Sequence, residues 1–404
     1  MIKQENLPEG WELKPLSKVC DVNPRKSEVK DFPSSEKVTF LSMESVGENG
    51  EIYSQEIKDL EEVFKGYTYF KKNDVLFAKI TPCMENGKGT IALINTDIGF
   101  GSTEFHILRS HENVIPEWIY RFLALNYTRK LAEMNMTGSA GQKRVPKTFF
   151  DKIKIPVPPL ETQKKIVETL EKAENLKEWR AEADELNDEF LKSVFLDMFG
   201  DPKNNHHNFK IGKIEDLIIK TQYGTSKKAN EDNKGYPILR MNNISYSGKW
   251  DFSSLKYIEL DESEKEKYLV NNGELLFNRT NSKELVGKAA VYRKDEPMAF
   301  AGYLVKLFTD SPATSEYIAG HLNSHYGKAF LFNMAKSIVG MANINAKEVQ
   351  RVPILIPPME LREKYAEIVK QVEKLRKSQK QSEQQIDNFF NVLMQKAFKG
   401  ELTC

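Results

Sequence analysis

Hydrophobic positions follow two regimes that alternate twice along the chain. In the first, short apolar runs ("KVTFLSM", "DVLFAKI", "GTIALI", "EFHILRS") are broken by Gly, Asn and Asp, the punctuation of strands and turns. The same regime returns later as "YPILRM", "ELLFNRT", "KAAVYR" and "YLVKLF". Each set leads into helical periodicity, in "PEWIYRFLALNYTRKLAEM" and "SEYIAGHLNSHYGKAFLFNMA". Each stretch therefore predicts an α+β domain.

The second regime opens at a Pro-Pro pair and runs for some 40 residues with neither Pro nor Gly. Proline is tolerated at a helix start, so each run predicts one long helix, about 60 Å at 1.5 Å per residue. In the later run, Tyr365, Ile368, Val372, Leu375, Ile386, Phe389 and Leu393 fall on alternating three- and four-residue steps, with Gln379 and Ser382 between them. The same register in the earlier run selects Ile166, Ala173, Leu176, Ala183, Phe190 and Val194, with Thr169, Arg180 and Asn187 as polar members. A sustained 3.5-residue period predicts coiled-coil-like pairing through these positions.

The alternation is a duplication. "IPVPPLETQKKIV" aligns with "ILIPPMELREKYA" at an offset of 199, "VTFLSMESV" with "YPILRMNNI" at 198, and "VLFAKITPCMENGKGTIAL" with "LLFNRTNSKELVGKAAVY" at 200. Lys79 thus meets Arg279, and Lys88 meets Lys288. Offsets this steady over so long a span mean two copies of one unit.

Composition changes this picture little. A chain of 404 residues, 40% hydrophobic and 29% charged, suits two or three globular domains with a long polar-faced element. Net charge is only +1, yet residues 136–154 carry +4, residues 160–200 carry −5 and residues 359–400 carry +3. One long helix is acidic and the other basic, so each is the natural partner of the other, and the repeat's pseudo-symmetry predicts an antiparallel pair. No stretch approaches the roughly 20 apolar residues of a membrane span, and "MIKQENLPEG" has no signal-peptide core, so a cytoplasmic location without membrane contact is expected. Cys20, Cys83 and Cys404 lie far apart with no CxxC spacing, which argues against a disulfide framework or a thiolate metal site.

Catalytic signatures are missing. There is no GxxxxGK[ST] phosphate loop and no Asn-Pro-Pro-aromatic motif of the kind that holds a target amine for methyl transfer. Nuclease-like Glu-x-Lys tripeptides at Glu28 and Glu56 are what a chain this charged produces by chance. His321 and His325 have zinc-compatible spacing but no evident third ligand, so no metal site is expected.

Two β-rich domains, each closed by "PPLE" or "PPME" and followed by a long helix ending in "FLKSVFLDMFGD" or "FFNVLMQKAFKGEL", resemble the specificity subunit of type I restriction-modification systems. The resemblance covers the whole chain and rests on the hydrophobic-Pro-Pro-Leu-x-x-Gln lead-in and the Phe-Gly-acid or Phe-x-Gly-Glu-Leu exit. Arg362 departs from it, standing where the first copy has Gln163. It implies an α+β fold of two β-rich target recognition domains in tandem repeat, residues 1–159 and 201–358, separated by two long antiparallel coiled-coil helices, residues 160–200 and 359–404. It also implies a non-catalytic chain that recognises double-stranded DNA with a bipartite target. Two methyltransferase subunits would dock on it and, through them, restriction/translocase subunits. S-adenosylmethionine, ATP and magnesium would be bound by those partners, with no cofactor held here. A two-lobed coiled-coil scaffold without DNA specificity, or a single-chain restriction-modification enzyme, are the alternatives.

For such a function, Lys and Arg supply phosphate contacts, while Arg, Lys, Asn and Gln read base edges. The polar loop residues that fit are Lys79, Thr81, Asn86 and Lys88 in the first domain, and Arg240, Asn242, Asn243, Arg279, Asn281, Ser282 and Lys283 in the second. The basic loop "GSAGQKRVPK" adds Gln142, Lys143 and Arg144, and its counterpart "SIVGMANIN" adds Asn343.

Overall fold

The computed structural model describes residues 3–139, 141–338 and 341–402. It divides into two units, one of Met1–Trp179 with Ser382–Cys404 and the other of Arg180–Gln381. In unit 1 the strands are β1 (Glu12–Pro15), β2 (Cys20–Val22), β3 (Lys37–Leu41), β4 (Glu56–Asp59), β5 (Thr68–Lys71), β6 (Val75–Ala78), β7 (Gly89–Ile91), β8 (Ile98–Gly101), β9 (Phe105–Ser110) and β10 (Lys154–Val157). Helices α1 (Leu60–Phe64), α2 (Pro116–Ala124), α3 (Asn126–Met134) and α4 (Phe149–Lys152) accompany them, and α5 (Leu160–Phe199) begins here. Two four-stranded sheets, ordered β2-β9-β6-β7 and β4-β3-β8-β5, form the body, and β1 pairs with β10 beneath the start of α5.

Unit 2 repeats this plan. Its strands are β11 (Lys210–Lys213), β12 (Ile218–Tyr223), β13 (Tyr236–Leu239), β14 (Lys256–Ile258), β15 (Leu269–Val270), β16 (Leu275–Asn278), β17 (Thr280–Asn281), β18 (Ala289–Val291), β19 (Met298–Phe300), β20 (Leu304–Thr309), β21 (Lys336–Ile338), β22 (Met341–Asn343) and β23 (Pro353–Ile356). Helices α6 (Glu262–Tyr268), α7 (Pro312–Asn323), α8 (His325–Met334) and α9 (Ala346–Gln350) precede α10 (Met359–Lys399). The sheets β12-β20-β16-β18 and β14-β13-β19-β15 have the strand order of unit 1, and β11 pairs with β23. Unit 2 adds a small sheet, β17-β22-β21.

The two stretches of helical periodicity each break once. Leu125 separates α2 from α3, and Ser324 separates α7 from α8 by accepting a hydrogen bond from the Gly327 amide at 3.1 Å, a local N-cap. Gly327 is obligatory there, since a Cβ would lie 2.1 Å from the His321 carbonyl oxygen.

The Pro-Pro-x-x-x-Gln motif acts as a joint. Trp118 Nε1 donates to the carbonyl of Pro156 at 2.8 Å, and Tyr317 OH donates to the equivalent carbonyl of Leu355 at 2.7 Å. Buried Gln163 accepts from the Ile115 amide at 3.0 Å and donates to the carbonyls of Asn113 and Pro158. Arg362 fills that place in unit 2, donating to Thr314 Oγ1 at 2.6 Å. Both versions satisfy backbone or hydroxyl groups at the start of a packed helix, which is why a polar residue sits inside an otherwise apolar seam.

Each unit's core is closed by helix ends from both copies. In unit 1, Ile166, Val167, Leu170 and Ala173 of α5 join Leu393, Met394, Ala397 and Phe398 of α10 in one apolar cluster. Phe398 lies 4.3 Å from Trp118 between ring centroids. In unit 2, Tyr365 and Val369 of α10 join Phe195 and Phe199 of α5, and Phe199 lies 4.7 Å from Tyr317. Phe199 and Phe398 are equivalent by the 199-residue offset, so the copies exchange their helix ends.

Inside each unit the two helices run antiparallel. Lys177 pairs with Asp387 at 2.9 Å in unit 1. In unit 2 Asn187 donates to Gln379 at 2.7 Å and Arg376 pairs with Asp188. The predicted seam is only partly the real one. Ile166, Ala173, Tyr365, Val372 and Leu393 are buried and Ala183, Val194, Ile368 and Ile386 half-buried, but Leu176, Phe190, Leu375 and Phe389 are exposed. A straight α-helix drifts about 20° per heptad from a 3.5-residue repeat, so a seam read from one end leaves the interface further along. The ends also pack on sheets and helices, which widens the buried face to include Val167, Leu170, Phe195, Phe199, Val369, Met394 and Ala397.

Candidate functional site

The loop after β6 and the loop before α5 are far apart in sequence, and the fold makes them neighbours. Lys79 donates its amide to the Glu104 carbonyl at 2.9 Å, the Val145 amide donates to the Lys79 carbonyl at 2.8 Å, and the Thr81 amide donates to the Lys143 carbonyl at 3.1 Å. Unit 2 repeats the frame bond for bond. The Arg279 amide donates to the Tyr303 carbonyl at 3.0 Å and the Ile344 amide to the Arg279 carbonyl at 2.9 Å. There the association is extended into a ladder, Thr280 opposite Asn343 and Asn281 opposite Ala342.

The side chains on this frame differ. In unit 1 Arg144 grips Glu104, with Nε 3.0 Å and Nη2 2.9 Å from its carboxylate oxygens, while Nη1 donates to the Gln142 carbonyl at 3.0 Å. Arg144 holds the Glu104 carboxyl below the usual carboxylate range, mainly through this hydrogen bonding. Lys79 is half-buried beside the pair, and Gln142 and Lys143 are exposed. In unit 2 Arg279 donates to Asn343 Oδ1 at 3.3 Å and lies over the Tyr223 ring, 5.1 Å from its centroid. Tyr223, from β12, and Glu104, preceding β9, are not among the sequence candidates, because both sit at strand ends and their partners come from elsewhere in the chain.

The other candidates divide by what already occupies them. Asn86 and Asn242 are exposed. Thr81 Oγ1 donates to Glu85 at 3.0 Å, Asn281 Oδ1 accepts the Ser282 amide at 2.9 Å, and Lys283 lies 4.6 Å from the Phe332 ring centroid. Asn281, Ser282 and Lys283 all remain partly exposed.

Three candidates have structural tasks. Asn243 is buried, accepts the Arg240 amide at 2.9 Å and donates to the Asp251 carbonyl at 2.8 Å. Arg240 donates to the Ser254 carbonyl at 2.8 Å. Lys88 Nζ donates to the Met43 carbonyl at 3.1 Å, and its counterpart Lys288 donates to the Ile244 carbonyl at 2.9 Å. Each lysine thereby commits one of its three N–H donors to a carbonyl beside the sheet, and the repeat marks both positions.

His321 is buried with Nε2 2.8 Å from the Pro353 carbonyl, and burial pushes it down to about 4, so it stays neutral at pH 7. His325 is exposed. Burial pushes the Cys20 thiol up to about 12, which leaves it protonated, and Cys404 lies outside the described residues. Among the described residues no group of three or more His, Cys, Asp or Glu could hold a metal ion, and no helix is long and apolar enough to cross a membrane.

Comparison with known proteins bears directly on these duplicated units. Residues 8–186 and 206–388 each match the family described as type I restriction modification DNA specificity domain. Over 171 residues the chain is 39% identical to the type I restriction enzyme EcoAI specificity subunit of Escherichia coli, a match covering 41% of this chain but only 28% of that protein. It is 24% identical to the EcoKI specificity subunit of Escherichia coli across 98% of this chain and 90% of that one. In fold it is similar to a chain solved in a study of complex assembly and conformational transition of the type I R-M system, with TM-score 0.66 at 20% identity, covering 98% of this chain and 99% of that chain. It is also similar to the type I restriction-modification S subunit from M. genitalium, with TM-score 0.52 at 12% identity, covering 98% of each. With both copies matched, their four-stranded sheets alike in strand order and each copy joined to a long helix, the chain belongs to the type I restriction-modification DNA specificity family.

Proposed function

We propose that this chain is the DNA-recognition subunit of a type I restriction-modification complex, each unit reading one half of a bipartite double-stranded target. The observation that carries the reading is the duplicated frame at Lys79 and Arg279. The same backbone bonds hold two different sets of polar side chains, as expected of two readers built alike and addressed to different sequences. The surrounding exposed Asn86, Gln142, Lys143 and Asn242, with half-buried Lys79, Thr81, Asn281, Ser282 and Lys283, supply further phosphate and base contacts. Asn243, Arg240 and Lys88 shape the loops instead.

Docking falls to the long helices. Leu176 on α5 and Phe389 on α10 are exposed at one level of the antiparallel pair in unit 1, next to the Lys177–Asp387 contact. Phe190 and Leu375 are exposed at one level in unit 2, next to Asp188–Arg376. The offset of 199 maps Leu176 onto Leu375 and Phe190 onto Phe389, so the chain carries one apolar patch twice. Two copies of one partner suit that arrangement, and we assign the patches to two methyltransferase subunits, through which restriction/translocase subunits join. Those partners would bind S-adenosylmethionine, ATP and magnesium, this chain contributing recognition and no catalysis.

The reading is tested by mixing purified chain and methyltransferase subunit with DNA. Sequence-dependent methylation is expected from the mixture and none from the chain alone. Methyl transfer by the isolated chain would make it an enzyme, and a mixture without sequence preference would favour a scaffold. Sedimentation should show two methyltransferase subunits per chain at saturation, reduced to one by Phe190→Asp combined with Leu375→Asp. A wild-type limit of one would remove the two-patch assignment.

A further inference from the structure

We infer that each unit reads a G·C pair with one oriented arginine, Arg144 in unit 1 and Arg279 in unit 2, and that Glu104, Asn343 and Tyr223 are the residues that aim them. The inference rests on the DNA-recognition reading above and specifies its chemistry.

A guanidinium has five N–H groups. Arg144 uses one on Nε and one on Nη2 against Glu104, and one on Nη1 against the Gln142 carbonyl. One N–H then remains on each terminal nitrogen, as a bidentate contact to O6 and N7 of guanine in the major groove requires. The side chain is 42% exposed, so a ligand can reach it. Arg279 reaches a similar state by another route. Nη2 spends one donor on Asn343 Oδ1 at 3.3 Å, Nε is buried with no partner, and the guanidinium lies over the ring of Tyr223. Both terminal nitrogens again keep a free N–H.

In unit 1, charge separates this role from phosphate binding. Glu104 cancels the charge of Arg144, which weakens its pull on a phosphate but leaves its directional donors intact. A contact that only neutralises a phosphate gains nothing from a carboxylate at 2.9 Å, whereas one that must present two donors in a fixed plane gains orientation. The backbone serves the same end. The two bonds that fix the Lys79 and Arg279 carbonyls, from Val145 and Ile344, anchor the loop bearing Arg144 in one unit and the Arg279 backbone itself in the other. The arginine therefore comes from opposite sides of an identical frame: Arg144 aligns with Asn343, and Arg279 with Lys79.

The test uses the chain assembled with its methyltransferase subunits and a DNA library with both half-sites randomised. The wild-type target is expected to contain at least one G·C pair in each half, and a half without one would overturn the inference for its unit. Arg144→Gln should relax the preference for one G·C pair in one half-site by roughly 10- to 100-fold with the other half unchanged, and Arg279→Gln should do the same in the other half. Glu104→Ala should reproduce part of the Arg144→Gln relaxation at the same position, with Glu104→Gln closer to wild type. Arg144→Lys keeps the charge without the fork, and is expected to relax the same position. This variant carries the test if the Gln variant fails to assemble. Variants that bind more weakly but keep every base preference, with a salt dependence reduced by about one phosphate contact, would make these arginines phosphate binders and sink the inference while leaving DNA recognition standing. A wild-type complex with no sequence preference would instead remove the underlying reading.

Discussion

Unit 1 and unit 2 share their strand order, their helix joint and the hydrogen bonds of the recognition frame, yet hardly a side chain at the centre of that frame is the same. Lys79, Glu104 and Arg144 in one stand where Arg279, Tyr303 and Asn343 stand in the other. The comparison extends inward. Asp74 in unit 1 takes a bidentate contact from Arg109, and its counterpart Glu274 takes Lys306, two residues earlier than Arg109 in the repeat's alignment. An acid before the central strand is kept, and its cation is re-sited. Duplication preserved backbone geometry and the requirement that buried charges be paired, and it left the identity of each pair free.

The comparison can be broken hardest at the exchanged helix ends. Phe398→Ala removes a fully buried ring from unit 1 and should cost it about 3–5 kcal/mol, and Phe199→Ala should do the same to unit 2. Hydrogen exchange resolved by peptide is the measurement. Phe398→Ala should raise exchange in β1, β10 and α2 with β12 and β20 unchanged, and Phe199→Ala should give the converse. Uniform exchange throughout either variant would mean that the units do not hold their cores separately.

A smaller effect is expected at the joint. Gln163→Ala leaves the Ile115 amide and the carbonyls of Asn113 and Pro158 without their partner, a loss of about 1–3 kcal/mol confined to unit 1. Arg362→Gln, which gives unit 2 the residue of unit 1, should cost less than Gln163→Ala in chemical denaturation. An equal or greater cost would show that the two joints are not interchangeable.

The smallest effect is a difference in acid response. The Glu104 carboxyl titrates below its unfolded value of about 4.3, so the Glu104–Arg144 contact contributes stability above that pH and loses it as pH falls through the depressed folded value. Asn343 does not titrate. Glu104→Gln should therefore flatten the acid limb of unit 1's stability, read by hydrogen exchange between pH 5 and pH 3, with no change in unit 2. An acid limb unaltered by Glu104→Gln would mean that the carboxylate contributes nothing there.

Much of this architecture is legible in the sequence because it is written twice. The offsets near 199 give the duplication, the Pro-Pro pairs give the starts of α5 and α10, and the β-type runs fall on β3, β6, β7, β9 and their counterparts. Periodicity alone misplaces part of the helix seam, since Leu176, Phe190, Leu375 and Phe389 keep step with a heptad while the actual interface follows the drifting face of an α-helix and the domain surfaces at each end. The breaks at Leu125 and Ser324 are hidden because both halves of each helix pair remain apolar on the packed side. Of the loop candidates, the repeat identifies Lys79 and Arg279 as equivalent. It cannot distinguish a lysine spent on a carbonyl, such as Lys88, from an open one, and it does not reveal Glu104 or Tyr223, whose significance lies in contacts made across 40 and 56 residues of chain. Sequence spacing records a helix or strand face well, and records poorly which side chains a fold brings together.

The most direct test of one frame carrying two sets of readers is to give unit 1 the side chains of unit 2. The variant Pro24→Tyr, Lys79→Arg, Glu104→Tyr, Arg144→Asn places the second copy's residues, including the aromatic under Arg279, on the first copy's backbone. Methylation of a library with both half-sites randomised, by the variant assembled with methyltransferase subunits, is the measurement. The account predicts that preference at one base pair of the first half-site shifts towards the base that the second unit reads with Arg279, while the second half-site stays as in wild type. An assembled, DNA-binding variant whose first half-site is read as before would contradict it.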